Sequence, residues 1–167
     1  MKNKKLVGIL STSIASAVIA LSIIVSGLIV VSGGASAHGN ATGIVKERMD
    51  MMDQLGKSMK RLKTLVRQKT DFNADEVAEI AAYMENTSKH IPSGFPEGSI
   101  EGPSEALPAI WENWNKFTDY TVQLAESSEK LGEIAAQGDQ RAVLKQFIVV
   151  GKSCSGCHTD FRINKDE

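Results

Sequence analysis

The sequence has few cysteines, few aromatic residues and little net charge. Only two cysteines occur in 167 residues, at positions 154 and 157, so no separate disulfide framework holds the fold together. Aromatic residues make up 5% of the chain, while alanine, leucine, isoleucine, valine and methionine are plentiful, which favours helices over sheets. The net charge of -1 gives no reason to expect a nucleic-acid partner. The length fits one domain plus a targeting segment.

Long apolar runs are absent except at the N-terminus, where residues 6–31 carry no charged side chain. Three lysines precede this run, and small residues ending in Ala35-Ser36-Ala37 follow it, which predicts signal-peptidase cleavage after Ala37. The run exceeds the usual apolar core of about 7–15 residues and reaches the roughly 20 that span a bilayer, so an uncleaved anchor is the alternative. Either way, residues 1–37 are predicted to export residues 38–167 to the periplasm, with membrane contact only through an uncleaved anchor.

Apolar residues recur at helical spacing in four stretches, and no strand-like alternation of useful length appears. The stretches cover about residues 44–68, 73–90, 108–138 and 139–162. Asn73 and Asp139 are good N-caps, and Gly138 is a typical C-terminal cap. All four prolines lie within residues 92–108, which predicts a long loop between the second and third helices. This pattern predicts an all-α fold, an antiparallel four-helix bundle.

A short motif near the C-terminus carries the chemistry: Cys154-Ser155-Gly156-Cys157-His158 is the C-x-x-C-H signature of c-type haem attachment. Residues at i, i+3 and i+4 share one helix face, so both thiols and the imidazole project together. We therefore predict one covalent haem c, bound through Cys154 and Cys157, with His158 as the proximal iron ligand. Gly156 is expected to leave room for the porphyrin edge.

Two other kinds of site also use closely spaced cysteines, and both fit this sequence less well. A thioredoxin-like cysteine pair normally opens a helix after a strand, and here the pair lies late in a helix. A zinc site lacks a second pair of ligands, because the other histidines are only His38 and His90. Arg162, at i+4 from His158, suits either a bond to a haem propionate or a charge beside the imidazole. Arg162 equally suits a simple interaction with the negative, C-terminal end of the helix dipole.

Three segments of the sequence resemble the cytochrome c' (c-prime) family, the class II c-type cytochromes. They are the C-terminal motif with Phe161-Arg162, the Pro108-Ala109-Ile110-Trp111 start of the third helix, and the Val45-Lys46-x-Arg48 opening of the first. The resemblance covers about residues 44–162 and implies an antiparallel four-helix bundle with haem near one end. It implies that His158 is the proximal ligand, Arg162 its basic neighbour and Arg48 a neighbour of a haem propionate. Without the resemblance, a solvated surface charge is the preferred interpretation of Arg48.

The resemblance also places Met52, four residues after Arg48, at the sixth iron position. In low-spin members of the family a methionine at this place binds the iron. In five-coordinate members an apolar residue merely crowds the site, and small gases such as nitric oxide or carbon monoxide enter. A thioether is a competent soft ligand, but methionine is also an ordinary core filler. Both alternatives stay open for Met52.

The expected function is that of an exported monohaem cytochrome carrying single electrons through Fe(III)/Fe(II) cycling. Redox proteins of the periplasm are the expected partners, and a homodimer is an option because family members are often dimers through their first two helices. The alternative is a five-coordinate haem protein that binds nitric oxide. No general base or substrate pocket is evident in the sequence, so an enzyme is not expected.

Overall fold

The computed structural model describes residues 40–68 and 72–164, so the predicted export segment, residues 1–37, lies outside them. The helices in these ranges are α1 (Gly43–Arg67), α2 (Ala74–His90), α3 (Ala109–Glu112), α4 (Trp114–Ala136) and α5 (Gln140–Phe161). A 3-10 turn, Pro92–Gly94, lies in the predicted long loop. The four long helices, α1, α2, α4 and α5, confirm the predicted all-α four-helix bundle. No helix in the described ranges has the length and apolar character needed to cross a bilayer.

Side-chain caps fix the beginnings of two long helices. The side chain of Asn73 accepts a hydrogen bond from the backbone N–H of Glu76 at 3.0 Å, and Asp139 accepts one from Ala142 at 3.0 Å. Each cap satisfies one of the four N–H groups that the first helical turn leaves without a partner. Gly138 has φ +74°, a conformation that glycine adopts without strain. The predicted caps are therefore confirmed.

The predicted third helix is interrupted at Asn113, so the expectation of one continuous helix from residue 108 is wrong. Asn113 has φ -126° and ψ 44°, outside the helical region. Its side-chain amide donates to the carbonyl of Ala109 at 3.2 Å, a local bond that competes with the helical pattern. Trp114, which follows the break, is 36% exposed.

The buried core and the open end of the bundle are separated along its axis. α4 packs along α2 and α5, and α1 packs against the same two helices. The fully buried side chains come from all four long helices, and they include Leu62, Val77, Met84, Leu131 and Val143. Leu62 and Leu131 lie in the second halves of α1 and α4, Val143 lies in the first half of α5, and Val77 and Met84 belong to α2. The opposite end, where α1 begins and α5 ends, therefore remains free to hold a site.

The long loop, residues 91–108, closes this open end. It is bonded to the end of α5 by an isolated antiparallel bridge between Ala106 and Arg162. The N–H of Leu107 donates to the carbonyl of Phe161 at 3.0 Å, and the N–H of Ile163 donates to the carbonyl of Glu105 at 2.8 Å. The loop is thus held against the helix that carries the C-x-x-C-H motif.

Candidate functional site

A cavity of about 550 Å³ opens at the end of the bundle away from the core. It is bounded by the first half of α1, the first half of α4, the last turns of α5 and the long loop. All of the sequence-predicted site residues line it, namely Arg48, Met52, Cys154, Cys157, His158 and Arg162. The volume falls within the roughly 300–1,000 Å³ typical of cofactor pockets. Folding therefore brings the two ends of the described chain to one site.

The two cysteines lie half-buried on the cavity side of α5, and both are free thiols. Burial raises the pKa of the Cys154 thiol. Burial also raises the pKa of the Cys157 thiol to about 11, with a further contribution from the neighbouring Cys154 and Asp160 charges. Thiol–disulfide catalysis depends on a lowered thiol pKa. The apolar setting of these thiols therefore argues against a thioredoxin-like cysteine pair.

The imidazole of His158 faces the open cavity from the next position of the same helix. Loss of hydration against the surrounding protein lowers its pKa, and the charge of Arg162 lowers it further, while Glu105 acts in the opposite direction. The ring is therefore neutral at neutral pH, and a neutral ring has a nitrogen lone pair available for a metal. The geometry and charge of His158 both suit metal ligation.

Arg162 is the C-cap of α5 rather than another helical residue, with φ -121° and ψ 141°. Its guanidinium pairs with the carboxylate of Glu105, with Nε 2.7 Å and Nη2 2.6 Å from Oε2. The side chain is nearly half exposed and also lines the cavity. The structure thus places Arg162 beside the histidine but shows its charge engaged by the long loop.

Arg48 is buried, with only 4% of its surface exposed, so its interpretation as a solvated surface charge is wrong. Its guanidinium donates to the hydroxyl of Ser99 at 3.0 Å and to the hydroxyl of Ser104, and its Cζ lies 4.8 Å from the ring centroid of Phe95. These partners carry no negative charge, and burial lowers the pKa of Arg48. A buried cation on a cavity wall with neutral partners suits an anionic group of a ligand.

Thioether and aliphatic side chains form the α1 wall of the cavity. Met52 lies half-buried there, flanked by Met49, Leu55 and Met59, which also line the cavity. His158 lies on a different helix that bounds the same space. The soft sulfur of Met52 and the imidazole nitrogen therefore reach one cavity from two helices.

Several residues of the site were not predicted from the sequence. Ser99, Ser104 and Glu105 belong to the long loop, where no periodic pattern marks the inward-facing positions. Tyr120 lines the cavity from α4, and its spacing from the buried Phe117 (i+3) gives a signal that could have found it. The local sequence does not encode which loop residues meet α1, because that depends on how the loop docks.

The residues present fit the haem that the C-x-x-C-H motif predicts. Two cysteine side chains and an imidazole line the cavity from one helix, and a buried guanidinium lines it from another. Most of the remaining lining residues are apolar or aromatic, as expected for a pocket that buries a flat aromatic cofactor.

Comparisons with known proteins agree with this chemistry. A family model described as Cytochrome C' matches residues 43–162. A cytochrome c-556 of Agrobacterium tumefaciens (strain II Chrys) is 33% identical over 124 residues, covering 74% of this chain and 99% of the relative. Cytochrome c' of Rhodopseudomonas palustris is 32% identical over 146 residues, covering 84% and 94%. A solved structure of cytochrome c' from that organism superposes with a TM-score of 0.66 at 28% identity, covering 75% of this chain and 99% of that one.

Proposed function

Since this chain belongs to the cytochrome c' family and is therefore a haem c protein, we propose that it carries single electrons and that His158 and Met52 would hold the haem iron. The observation that carries the proposal is the position of Met52 and His158, which line one cavity from α1 and α5. A thioether and an imidazole are competent iron ligands, and this pair raises the reduction potential relative to two nitrogen ligands.

We propose that Cys154 and Cys157 hold the haem through thioether bonds. Both thiols are half-buried in an apolar setting, and they lie one helical turn apart on the face that lines the cavity. When bound, haem c supplies an iron that gains and loses one electron. Mass spectrometry of the protein made with haem-attachment machinery tests the bonds: the denatured wild type should keep the mass of one haem per chain, and the Cys154→Ala/Cys157→Ala variant should have the mass of the polypeptide alone. A denatured wild type without the added haem mass would refute the assignment.

The remaining cavity residues have supporting roles in this proposal. Arg48 offers a buried positive charge for a haem propionate, and the hydroxyls of Ser99 and Ser104 hold the guanidinium in place. Arg162 sits beside His158 and is itself held by Glu105. The apolar side chains around Met52 exclude water, which limits solvent reorganisation when the charge of the site changes by one unit.

Gas binding is the second candidate function, and one feature of the cavity favours it. The residues flanking Met52 on α1, Met49, Leu55 and Met59, are apolar or weakly coordinating. If Met52 leaves the sixth position open, a small uncharged gas such as nitric oxide or carbon monoxide suits this wall better than a charged ligand does. The two functions therefore differ in one bond, between Met52 and the iron.

Carbon monoxide binding to the reduced protein distinguishes the two functions. If Met52 is bound, it must leave before carbon monoxide enters, so the wild-type rate should level off at high carbon monoxide concentration, whereas the rate of Met52→Ala should stay proportional to it. Met49→Ala, which removes a neighbouring cavity thioether, is the matched control and should behave as the wild type. Stopped-flow mixing gives these rates, and a wild-type rate that stays proportional to the gas concentration would support the gas-binding function instead.

We further propose that residues 1–37 export the protein, that residues 38–167 form the folded cytochrome, and that its partners are redox proteins of the periplasm. The support is the basic, apolar and small-residue sequence order before residue 38. Detection of His38 as the N-terminal residue by mass spectrometry is the expected result. An intact N-terminus in the membrane fraction would establish the anchor instead.

A homodimer remains a proposal from the family resemblance, and light scattering at several protein concentrations tests it.

A further inference from the structure

An aromatic ring from α4 closely approaches the turn between the two cysteines. A Cβ atom at Gly156 would lie 2.8 Å from Cε1 of Tyr120, closer than non-bonded carbon atoms pack, and 3.4 Å from Cζ of the same ring. Gly156 lies within the regular helix α5, so its backbone conformation does not require glycine. The missing side chain instead makes room for the tyrosine ring.

Contacts at both ends hold the ring of Tyr120 in this place. Its edge meets the ring of Phe161, with centroids 6.2 Å apart and planes at 78°. Its hydroxyl donates to Oδ2 of Asp160 at 2.7 Å, and Lys116, one turn earlier on α4, contacts the same oxygen at 2.9 Å. Tyr120 therefore connects α4 to Asp160 and Phe161 at the end of α5.

We propose that Tyr120 is a positioning residue for the haem. Its ring fixes the turn between Cys154 and Cys157 from the α4 side, and Gly156 is the residue that allows this contact. The inference rests on the proposed haem attachment at the two cysteines. Because both thiols and His158 belong to this turn, displacing the turn moves all three attachment points together. Tyr120 does not need to touch the iron to affect its ligation.

A double-mutant cycle tests the proposed coupling. The full-length holoproteins are the wild type, Gly156→Ala, Tyr120→Ala and the double variant, made with haem-attachment machinery. Gly151→Ala is the matched control, because the added methyl on the same helix would meet only the Met59 methyl, at 3.7 Å. Three quantities are measured for each: covalent haem per chain by pyridine haemochrome, reduction potential by spectroelectrochemical titration, and melting temperature.

Gly156→Ala should lower the melting temperature by about 5 °C, because an added carbon in a filled space forces side chains or backbone to shift. It should also change the reduction potential. Both changes should disappear when Gly156→Ala is made in the Tyr120→Ala background, where the space is free. Gly151→Ala should match the wild type in haem content and reduction potential, and its melting temperature should not fall, because alanine is the better helix former. Tyr120→Phe, which keeps the ring, should retain the wild-type potential more closely than Tyr120→Ala does.

The proposal is overturned if Gly156→Ala has the same effect with and without Tyr120, or if Gly151→Ala has an equal effect. A Tyr120→Ala protein with the wild-type potential and spectrum also overturns it. If Gly156→Ala yields no holoprotein, recovery of haem in the double variant supports the proposal, and continued loss contradicts it. A wild type without covalent haem would refute the attachment site itself, whereas normal haem with additive mutant effects refutes only the role of Tyr120.

Discussion

At the residue scale, the buried guanidinium of Arg48 is the feature of the cavity with the largest electrostatic consequence. It is 4% exposed and bonded to two serine hydroxyls and an aromatic face, none of which neutralises its charge. Water screens such a charge far less than it screens a surface charge. Arg48 should therefore contribute to the reduction potential of a haem bound in this cavity.

Replacing Arg48 with methionine should lower that reduction potential by on the order of 50–100 mV, because a nearby positive charge favours the less positive, reduced iron. Spectroelectrochemical titration measures the shift. Lys46→Ala is the matched control, since it removes an equal charge from an exposed position of α1. Equal shifts in the two variants would show that Arg48 acts only through its long-range charge, and that its buried position in the cavity wall has no effect on the reduction potential.

The residues that a sequence can reveal are those fixed by short-range chemistry. The cysteines and His158 were predictable because attachment through two thiols and one imidazole demands their spacing on one helix turn. Arg48 and Met52 required the family resemblance, since their spacing alone is equally typical of a solvated charge and a core filler. Ser99 and Ser104 depend on how the long loop docks, whereas Tyr120 could have been found from its i+3 spacing to Phe117.

At the element scale, one charged pair joins the first two helices. The guanidinium of Arg61 in α1 forms two hydrogen bonds with the carboxylate of Glu76 in α2. Its Nε donates to Oε1, and its Nη2 donates to Oε2 at 2.7 Å. The hydrogen bond from Arg61 holds the pKa of Glu76 below its ordinary value of 4.5. A carboxylate with a lowered pKa contributes stability above its unfolded pKa, and that contribution is lost as the pH falls through the folded value.

The Glu76→Gln variant should therefore melt below the wild type at pH 7, and the difference should shrink as the pH falls below 4.5. The effect is modest because both side chains are substantially exposed to water. Thermal melts followed by circular dichroism between pH 7 and pH 3 check this. Glu79→Gln, an exposed carboxylate of the same helix, serves as control, and a difference for Glu76→Gln that stays constant with pH would contradict the account.

Helix boundaries were predictable from the sequence where a side chain caps its own helix. Asn73 and Asp139 satisfy N–H groups only three residues away, so their signal is local. The break at Asn113 was not predictable from apolar spacing, because the flanking residues continue the helical pattern. The bridge between Ala106 and Arg162 joins distant segments and depends on the packing of the whole loop.

At the scale of the whole molecule, the bundle divides into a packed end and an open end. Fully buried residues such as Leu62, Leu131 and Val143 fill the former, whereas a cavity of about 550 Å³ occupies the latter. A ligand that binds only the folded state adds stability to it. Bound haem should therefore stabilise the open end most, because that is where its contacts lie.

The variant Cys154→Ala/Cys157→Ala, made without haem, should consequently melt below the holoprotein. Hydrogen exchange should be faster than in the holoprotein at the start of α1 and the end of α5, while amides around Leu62 and Leu131 should stay protected. Amide hydrogen exchange followed by mass spectrometry of peptides measures the protection of the two ends of the bundle separately. Uniform loss of protection along all helices would contradict the division of the bundle into two ends.

The bond between Met52 and the iron is the central claim, and the ferric absorption spectrum tests it most directly. The wild-type holoprotein should show a low-spin spectrum with the methionine-to-iron charge-transfer band. That band should disappear in Met52→Ala and persist in Met49→Ala. A high-spin ferric wild type, or a band that survives in Met52→Ala, would contradict the assignment of Met52 as the ligand opposite His158.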